Sequence, residues 1–277
     1  LPSGHPAKAP YHIFQQAGDK VRGGVIIGLG ARLQVFQNAS ICDITAQDEF
    51  DLSRPGREKC AFFCISSDQD STFDFLSSLF FSFLFIKLVR YADAEGVDGK
   101  LPIGVNFVLD EFPNLGVIND FKKKISTVRS RNIGISVIFQ NIAQLKNRYP
   151  NDEYLEILGN CDTQIALGCT DEVTARFISN RTGEVTIDVN SQSKQLHAMR
   201  MTDYTPEYRE TNSVGRRKLM TADEVLRMPL DEALIILRGQ NVFKVKKFDY
   251  TRHPESRKLK KCKAAAYIPD WRKEKED

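Results

Sequence analysis

No Cys-x-x-Cys pair occurs anywhere in the 277 residues, and the six cysteines (Cys42, Cys60, Cys64, Cys161, Cys169 and Cys262) have no histidine cluster beside them. That offers none of the common zinc spacings, and scattered reduced thiols in a reducing cytoplasm are expected rather than zinc or disulfides. A strong charge of either sign is lacking too. The formal net charge is +3, too small to imply nucleic-acid binding, so any basic surface must be local. No signal peptide opens the chain. No apolar run reaches the ~20 residues a bilayer demands. The most apolar stretch, Phe75 to Ile86, holds three serines and is bounded by Asp74 and Lys87, so it reads as a buried helix. What remains is ordinary: 42% hydrophobic and 27% charged residues, enough for one large or two modest soluble domains.

Against that background one stretch stands out. Residues 103–111 read Ile-Gly-Val-Asn-Phe-Val-Leu-Asp-Glu, an apolar run ending in Asp110 and Glu111. Such a run suits a strand buried on both faces of a parallel sheet, and acids at its carboxyl end sit where open α/β sheets place ligands. It is either a strand ending in solvated charge or the Walker B strand of a nucleotide hydrolase. In the latter an Asp helps hold hydrated magnesium and a Glu activates the attacking water. Phe112-Pro-Asn-Leu-Gly116 then turns the chain. A helix is predicted over Ile118–Arg131, with Phe121, Ile125 and Val128 on one face. A second buried strand, Ile135 to Phe139, ends in Gln140. That amide either begins the next turn or hydrogen-bonds a γ-phosphate or the lytic water.

The loop that would cradle phosphates, Gly-x-x-x-x-Gly-Lys-Ser/Thr, does not occur. Gly23, Gly24, Gly28 and Gly30 are not followed by Lys-Ser/Thr, and are read as helix-packing positions. With Leu1 where an initiator Met would stand, the chain is expected to be a segment of a longer protein, with its phosphate loop upstream.

The rest of the chain gives a coarse plan. Two helices meeting at Gly23-Gly24 are predicted within residues 1–45, followed by a turn at Arg54-Pro55-Gly56 and a buried strand over Cys60–Ile65. Asp68 and Asp70 offer capping oxygens to the Phe-rich helix, which is predicted to run to about Tyr91. A short helix ending at Leu155–Leu158, a buried strand over Thr163–Leu167 and a helix over Asp171–Asn180 follow. This alternation predicts a parallel sheet covered on both faces. From Gly183 to Arg217 the pattern lapses into polar residues, an irregular excursion or a pair of exposed hairpins. Thr221 and Glu224 form a capping box, and Glu232–Leu237 with Val242–Phe248 forms a hairpin. The tail from Arg252 is basic, and Arg257-Lys-Leu-Lys-Lys261 reads as solubilising rather than DNA-binding.

Six segments in order resemble the coupling proteins of type IV secretion and conjugation, the TraG/TraD-like DNA-transfer ATPases. They are Asp68-x-Asp-Ser-Thr-Phe73, Val-Leu-Asp-Glu-Phe-Pro-Asn-Leu-Gly116, Arg129-Ser-Arg-Asn-Ile-Gly134, Phe139-Gln-Asn-Ile-Ala-Gln144, Lys218-Leu-Met-Thr-x-Asp-Glu-Val225 and Ala233-Leu-Ile-Ile-Leu-Arg-Gly-Gln240. The resemblance implies an incomplete RecA-like P-loop NTPase sheet of the α/β class, mostly parallel with helices on both faces, over residues 46–250. It further implies the end of an all-helical subdomain over 1–45 and a basic tail over 251–277.

The implied activity is that of an ATP-driven ring motor, usually a hexamer, at the cytoplasmic face of the bacterial inner membrane. Such a motor would couple a relaxase-bound single-stranded DNA, or an effector protein, to the secretion channel. The membrane anchor would lie outside this chain, and this segment alone would be soluble and inactive. Asp110 would position magnesium, Glu111 would activate water and Gln140 would sense the γ-phosphate of ATP. Arg131, with Arg129 in reserve, would be the trans-acting arginine; the alternative is a cation complementing a helix end. Lys122, Lys123 and Lys124 are the candidate DNA face, or else a solvated helix surface. The alternatives for the whole are a non-enzymatic docking module for relaxosome or effector proteins, or a DNA-pumping ring ATPase outside conjugation.

Overall fold

A computed structural model describes residues 2, 4–48, 51–66, 71–195 and 207–261. The architecture is mixed α/β, as the alternation of apolar strands and amphipathic helices requires. Helices α1 (Lys8–Gln16), α2 (Asp19–Leu33) and α3 (Ala39–Ala46) come first. The break falls at Gly18, whose extended backbone caps α2, and α2 runs straight through Gly23-Gly24. Two adjacent glycines weaken a helix without stopping it when neither adopts a positive φ. Ile13, Val21, Val25, Ile26, Ile27 and Leu29 on these helices are exposed.

The predicted strand over Cys60–Ile65 is not formed. Those residues carry no ladder, and Phe63 and Ile65 are exposed. Apolar content marks a segment that wants burial; it does not supply the neighbouring strand. The Phe-rich helix α4 (Asp74–Glu95) is longer than predicted, and with the preceding 3-10 turn it makes a helical run of 25 residues. By length and composition it could cross a membrane, contrary to the shorter reading of the sequence. In the fold it buries a single stripe, Ser77, Leu84, Phe85, Leu88 and Ala92, while Leu79, Phe83 and Ile86 stay exposed. The capping acids Asp68 and Asp70 lie outside the described residues, as do Cys262 and the tail beyond it. Asp74 in the first turn supplies negative charge there.

Strands β1 (Val105–Leu109) and β2 (Ile133–Val137) pair in parallel, Val105 opposite Ile133 through Leu109 opposite Val137. Between them run helix α5 (Phe121–Thr127) and a 3-10 turn over Val128–Arg131. As predicted, Phe121, Ile125 and Val128 are buried. The main core joins α4, β1, α5 and two short helices, α6 (Ile142–Arg148) and α7 (Glu153–Gly159). Aromatic rings dominate it: Phe85 stacks on Phe107 at 4.2 Å between ring centres, and Phe112 on Tyr149 at 5.2 Å. Stacked aromatic pairs add to the area they bury.

β1 is not covered on both faces. Phe107 and Leu109 are buried and Val108 is 68% exposed, so the uninterrupted apolar run is packed on one side only. Nor does β3 (Thr163–Ala166) extend the parallel pair. After it come α8 (Glu172–Thr182), strands β4 (Glu184–Gln195) and β5 (Glu207–Lys218), α9 (Ala222–Leu226), β6 (Glu232–Leu237) and β7 (Phe243–Lys246). β3 pairs antiparallel with β6, which pairs with β7 in the predicted hairpin. β4 and β5 form one hairpin with twelve residues on each side, where the sequence suggested irregularity or two hairpins. Its residues alternate Val-Thr-Ile-Asp-Val, a strand pattern, but polar neighbours hid it. The Thr221–Glu224 capping box is present in full, and Glu224 is held below the usual carboxylate range, chiefly by the Thr221 backbone N–H.

Candidate functional site

The carboxyl ends of β1 and β2 are joined beyond the regular ladder by two bonds. Ile138 N–H donates to Leu109 O and Phe112 N–H donates to Ile138 O, both at 2.9 Å. For the chain to return to Ile138 after Asp110, Glu111 takes a left-handed conformation, φ 47° and ψ 43°. A side chain other than Gly, Asn or Asp there is strained by about 1–2 kcal/mol. What holds it is the next residue. Phe112 is fully buried and begins a 3-10 turn that runs to Asn114, and Gly116 closes the segment at φ +79°. A Cβ on Gly116 would lie 2.7 Å from Asp74 O, so only glycine lets the turn pack onto the start of α4.

This backbone sets the side chains. Gln140 Nε2 donates to Glu111 Oε1 at 3.0 Å, and Asp110 Oδ1 accepts the Glu111 N–H at 3.1 Å. Glu111 Oε2 is buried and has no hydrogen-bond partner among the described residues. A buried carboxylate oxygen left unpaired is costly and marks a place where a ligand or water is expected. Asp110 itself is exposed. Just beyond Gln140, Asn141 caps α6, and Ile142 N–H donates to Thr174 Oγ1 at 3.0 Å, so the strand end carrying Gln140 is pinned to α8.

Two supporting residues escaped the sequence reading. Arg148 Nε donates to Pro113 O at 2.5 Å and its guanidinium lies 3.5 Å from Asp74, tying the turn to both α6 and α4. Its sole sequence signal is a cation in the last turn of a short helix. Tyr149, stacked on Phe112, accepts the Ile118 N–H on its hydroxyl at 3.3 Å. Burial pushes its phenol up to about 12.

The other predicted residues lie elsewhere. Arg131 is clamped by Asp93 through two bonds, 2.9 and 3.2 Å, and is a quarter exposed, whereas Arg129 is 81% exposed and pairs with Asp162 at 3.1 Å. Arg131 thus fastens the end of α4, and Arg129 is the more accessible of the two. Both precede β2, whose five residues span about 13 Å, so neither sits at the Glu111 end of the strand. Lys122, Lys123 and Lys124 do not make a shared basic face. Lys122 pairs with Glu153 and Glu156, Lys123 lies near Asp120, and Lys124 folds back onto Asn119 O. Consecutive helical residues point in different directions, and acids neutralise two of the three.

Chemically, an oriented carboxylate with one free oxygen can take a proton from water, and an adjacent exposed carboxylate can hold a hydrated hard cation. The chain is of the α/β class, with Asp110, Glu111 and Gln140 just beyond the carboxyl ends of two parallel strands, where open α/β sheets place ligands. Residues 4–269 match the family model described as Type IV secretory system Conjugative DNA transfer, and the chain belongs to that family. It is 24% identical over 242 residues to Protein VirD4 of Rhizobium rhizogenes, covering 87% of this chain and 34% of that protein. To the conjugal transfer protein TraG of Escherichia coli it is 32% identical over 149 residues, half of this chain and 22% of that one. Among solved structures, the plasmid coupling protein TrwB in complex with ADP and Mg2+ matches with a TM-score of 0.47 at 15% identity, over 66% of this chain and 40% of that one.

Proposed function

We propose that this chain carries the carboxylate half of an ATPase site in a RecA-like ring motor, one that delivers relaxase-bound DNA or effector proteins to a type IV secretion channel. The observation behind the reading is the Gln140–Glu111 bond, which fixes one carboxylate oxygen and leaves the other buried and free. Glu111 accepts the proton of the attacking water, and Gln140 fixes the orientation of Glu111 and touches the γ-phosphate side of the site. Asp110, exposed and hard, would hold magnesium through water, and the ion when bound neutralises phosphate charge. These residues fit such an ion. The chain has no Gly-x-x-x-x-Gly-Lys-Ser/Thr segment, so triphosphate binding needs further donors and this stretch by itself should not turn over ATP.

Arg129 is the arginine we assign to the nucleotide of a neighbouring subunit, because it is exposed and lies at the far end of β2 from Glu111. A site on one rim and its arginine on the other define a head-to-tail interface, which closes into a ring; six subunits at the cytoplasmic face of the membrane is the arrangement we favour. Residues 1–45 would belong to a helical subdomain, 46–250 to the motor domain, and 251–277 to a basic tail. The test is Glu111→Gln in the full-length protein. Turnover should fall by about 10²–10⁴, the usual worth of a general base, with nucleotide binding kept; unchanged turnover removes the assignment.

One observation favours a second role beside the first. Residues 184–193 and 209–214 of the β4–β5 hairpin are exposed, the form of a docking arm. Capture of relaxosome proteins without nucleotide should be lost when residues 188–214 are replaced by a tight turn, and persistence of capture would reject the arm.

A further inference from the structure

Asp162, at the residue before β3, receives two arginines. Arg129 Nη1 lies 3.1 Å from Oδ2 and Arg238 Nη1 lies 3.1 Å from Oδ1. Arg238 comes from the turn between β6 and β7, and its backbone N–H also donates to Asp162 O at 3.0 Å. The turn is therefore fixed while the Arg238 side chain stays 79% exposed; that of Arg129 is 81% exposed. Two residues along β3, Gln164 Oε1 accepts from Arg181 Nε at 3.2 Å. One carboxylate faces two guanidinium groups, so a positive charge is left over at a surface where ion pairs are weak and readily exchanged. Guanidinium forks match phosphate oxygens better than they match one shared carboxylate.

We propose that Arg238 acts with Arg129 as a second arginine presented to the nucleotide of a neighbouring subunit, and that Asp162 is the internal counter-ion both leave on engagement. The proposal rests on the motor reading above. Its logic is electrostatic. A polyphosphate arriving from the facing subunit carries more negative charge than Asp162 and offers each fork its own oxygens. Arg238 and Arg129 sit on different elements, the β6–β7 turn and the segment before β2, and the shared Asp162 keeps them together in the absence of that ligand.

Two measurements test it. In the first, calorimetry on the 277-residue chain uses tripolyphosphate as probe. Asp162→Asn should bind it roughly fivefold more tightly, the scale of one exposed ion pair, and adding Arg238→Gln should cancel the gain. Equal affinity in the parent and Asp162→Asn overturns the counter-ion role. In the second, full-length subunits bearing Arg238→Gln should lose about tenfold or more in ATP turnover, short of the largest effects known for such arginines. Mixed with Glu111→Gln subunits they should regain activity, because some interfaces then join an intact Glu111 to an intact Arg238. Mixtures that give only the sum of the two separate activities place Arg238 in its own subunit's chemistry or in none, and the proposal falls. Should Glu111→Gln alone turn over normally, the motor reading fails instead, and the tripolyphosphate arm still decides on Asp162.

Discussion

The two ends of β2 are built on different principles. At its carboxyl end the chain around Gln140 and Glu111 is held by buried aromatics, a strained backbone and bonds to three helices, and one carboxylate oxygen has no partner among the described residues. At its amino end Arg131 is tied to Asp93 and also donates to Thr127 O, while Arg129 holds an exposed ion pair with Asp162. Rigid support suits a group whose position must be set to a fraction of an ångström. Exposed, exchangeable pairing suits a group whose partner comes from outside.

That contrast can be broken most sharply at Phe112. Phe112→Ala should destabilise the chain by about 3–5 kcal/mol in urea unfolding, because the ring is fully buried between Phe121 and Tyr149. A cost below 1 kcal/mol would mean the Glu111 turn is not held by its neighbour. Tyr149→Phe should cost less, about 1–3 kcal/mol, by leaving the Ile118 N–H without its acceptor. The pH dependence follows. A phenol raised to about 12 in the fold, from its ordinary 10, adds stability that is whole below pH 10 and drains away as pH rises through 12. Parent and Tyr149→Phe should therefore converge in stability over that interval; parallel curves would contradict the burial.

At the other end the effects shrink. Arg131→Gln should lower stability by about 0.5–1 kcal/mol through the freed Asp93, and Arg129→Gln by about zero. Equal losses in thermal melts would erase the distinction between the two arginines. Smallest of all is the capping box far from β2. Glu224 is lowered by the Thr221 N–H and the Arg217 guanidinium, so its contribution exists above the ordinary carboxylate range and is lost as pH falls through the depressed value. Glu224→Gln should narrow its difference from the parent in acid, read from helix content by circular dichroism.

Legibility followed the range of the forces. The Asp-Glu strand, the Gln-ended strand, the buried face of α5, the Asp171 and Thr221 caps and the β6–β7 hairpin were all readable, since each is set by residues within a few positions of one another. Cys60–Ile65 and the pairing of β3 were not, because whether an apolar segment gains a ladder depends on a distant strand. The α2 break was misplaced by two glycines that no turn requires. Arg148 and Tyr149 left almost no trace, as their partners stand more than thirty residues away.

By itself, then, the sequence determined which chemistry the chain holds: adjacent carboxylates after an apolar strand, an amide after the next, and arginines before it. Tertiary structure alone decided which of these meet. Left-handed backbone at Glu111 and the buried ring of Phe112 bring Glu111 to Gln140, while Asp93 withdraws Arg131 and Asp162 leaves Arg129 at the surface. Composition and spacing encode local preference, but an ion pair or hydrogen bond between residues far apart in the chain exists only once the fold has brought its ends together.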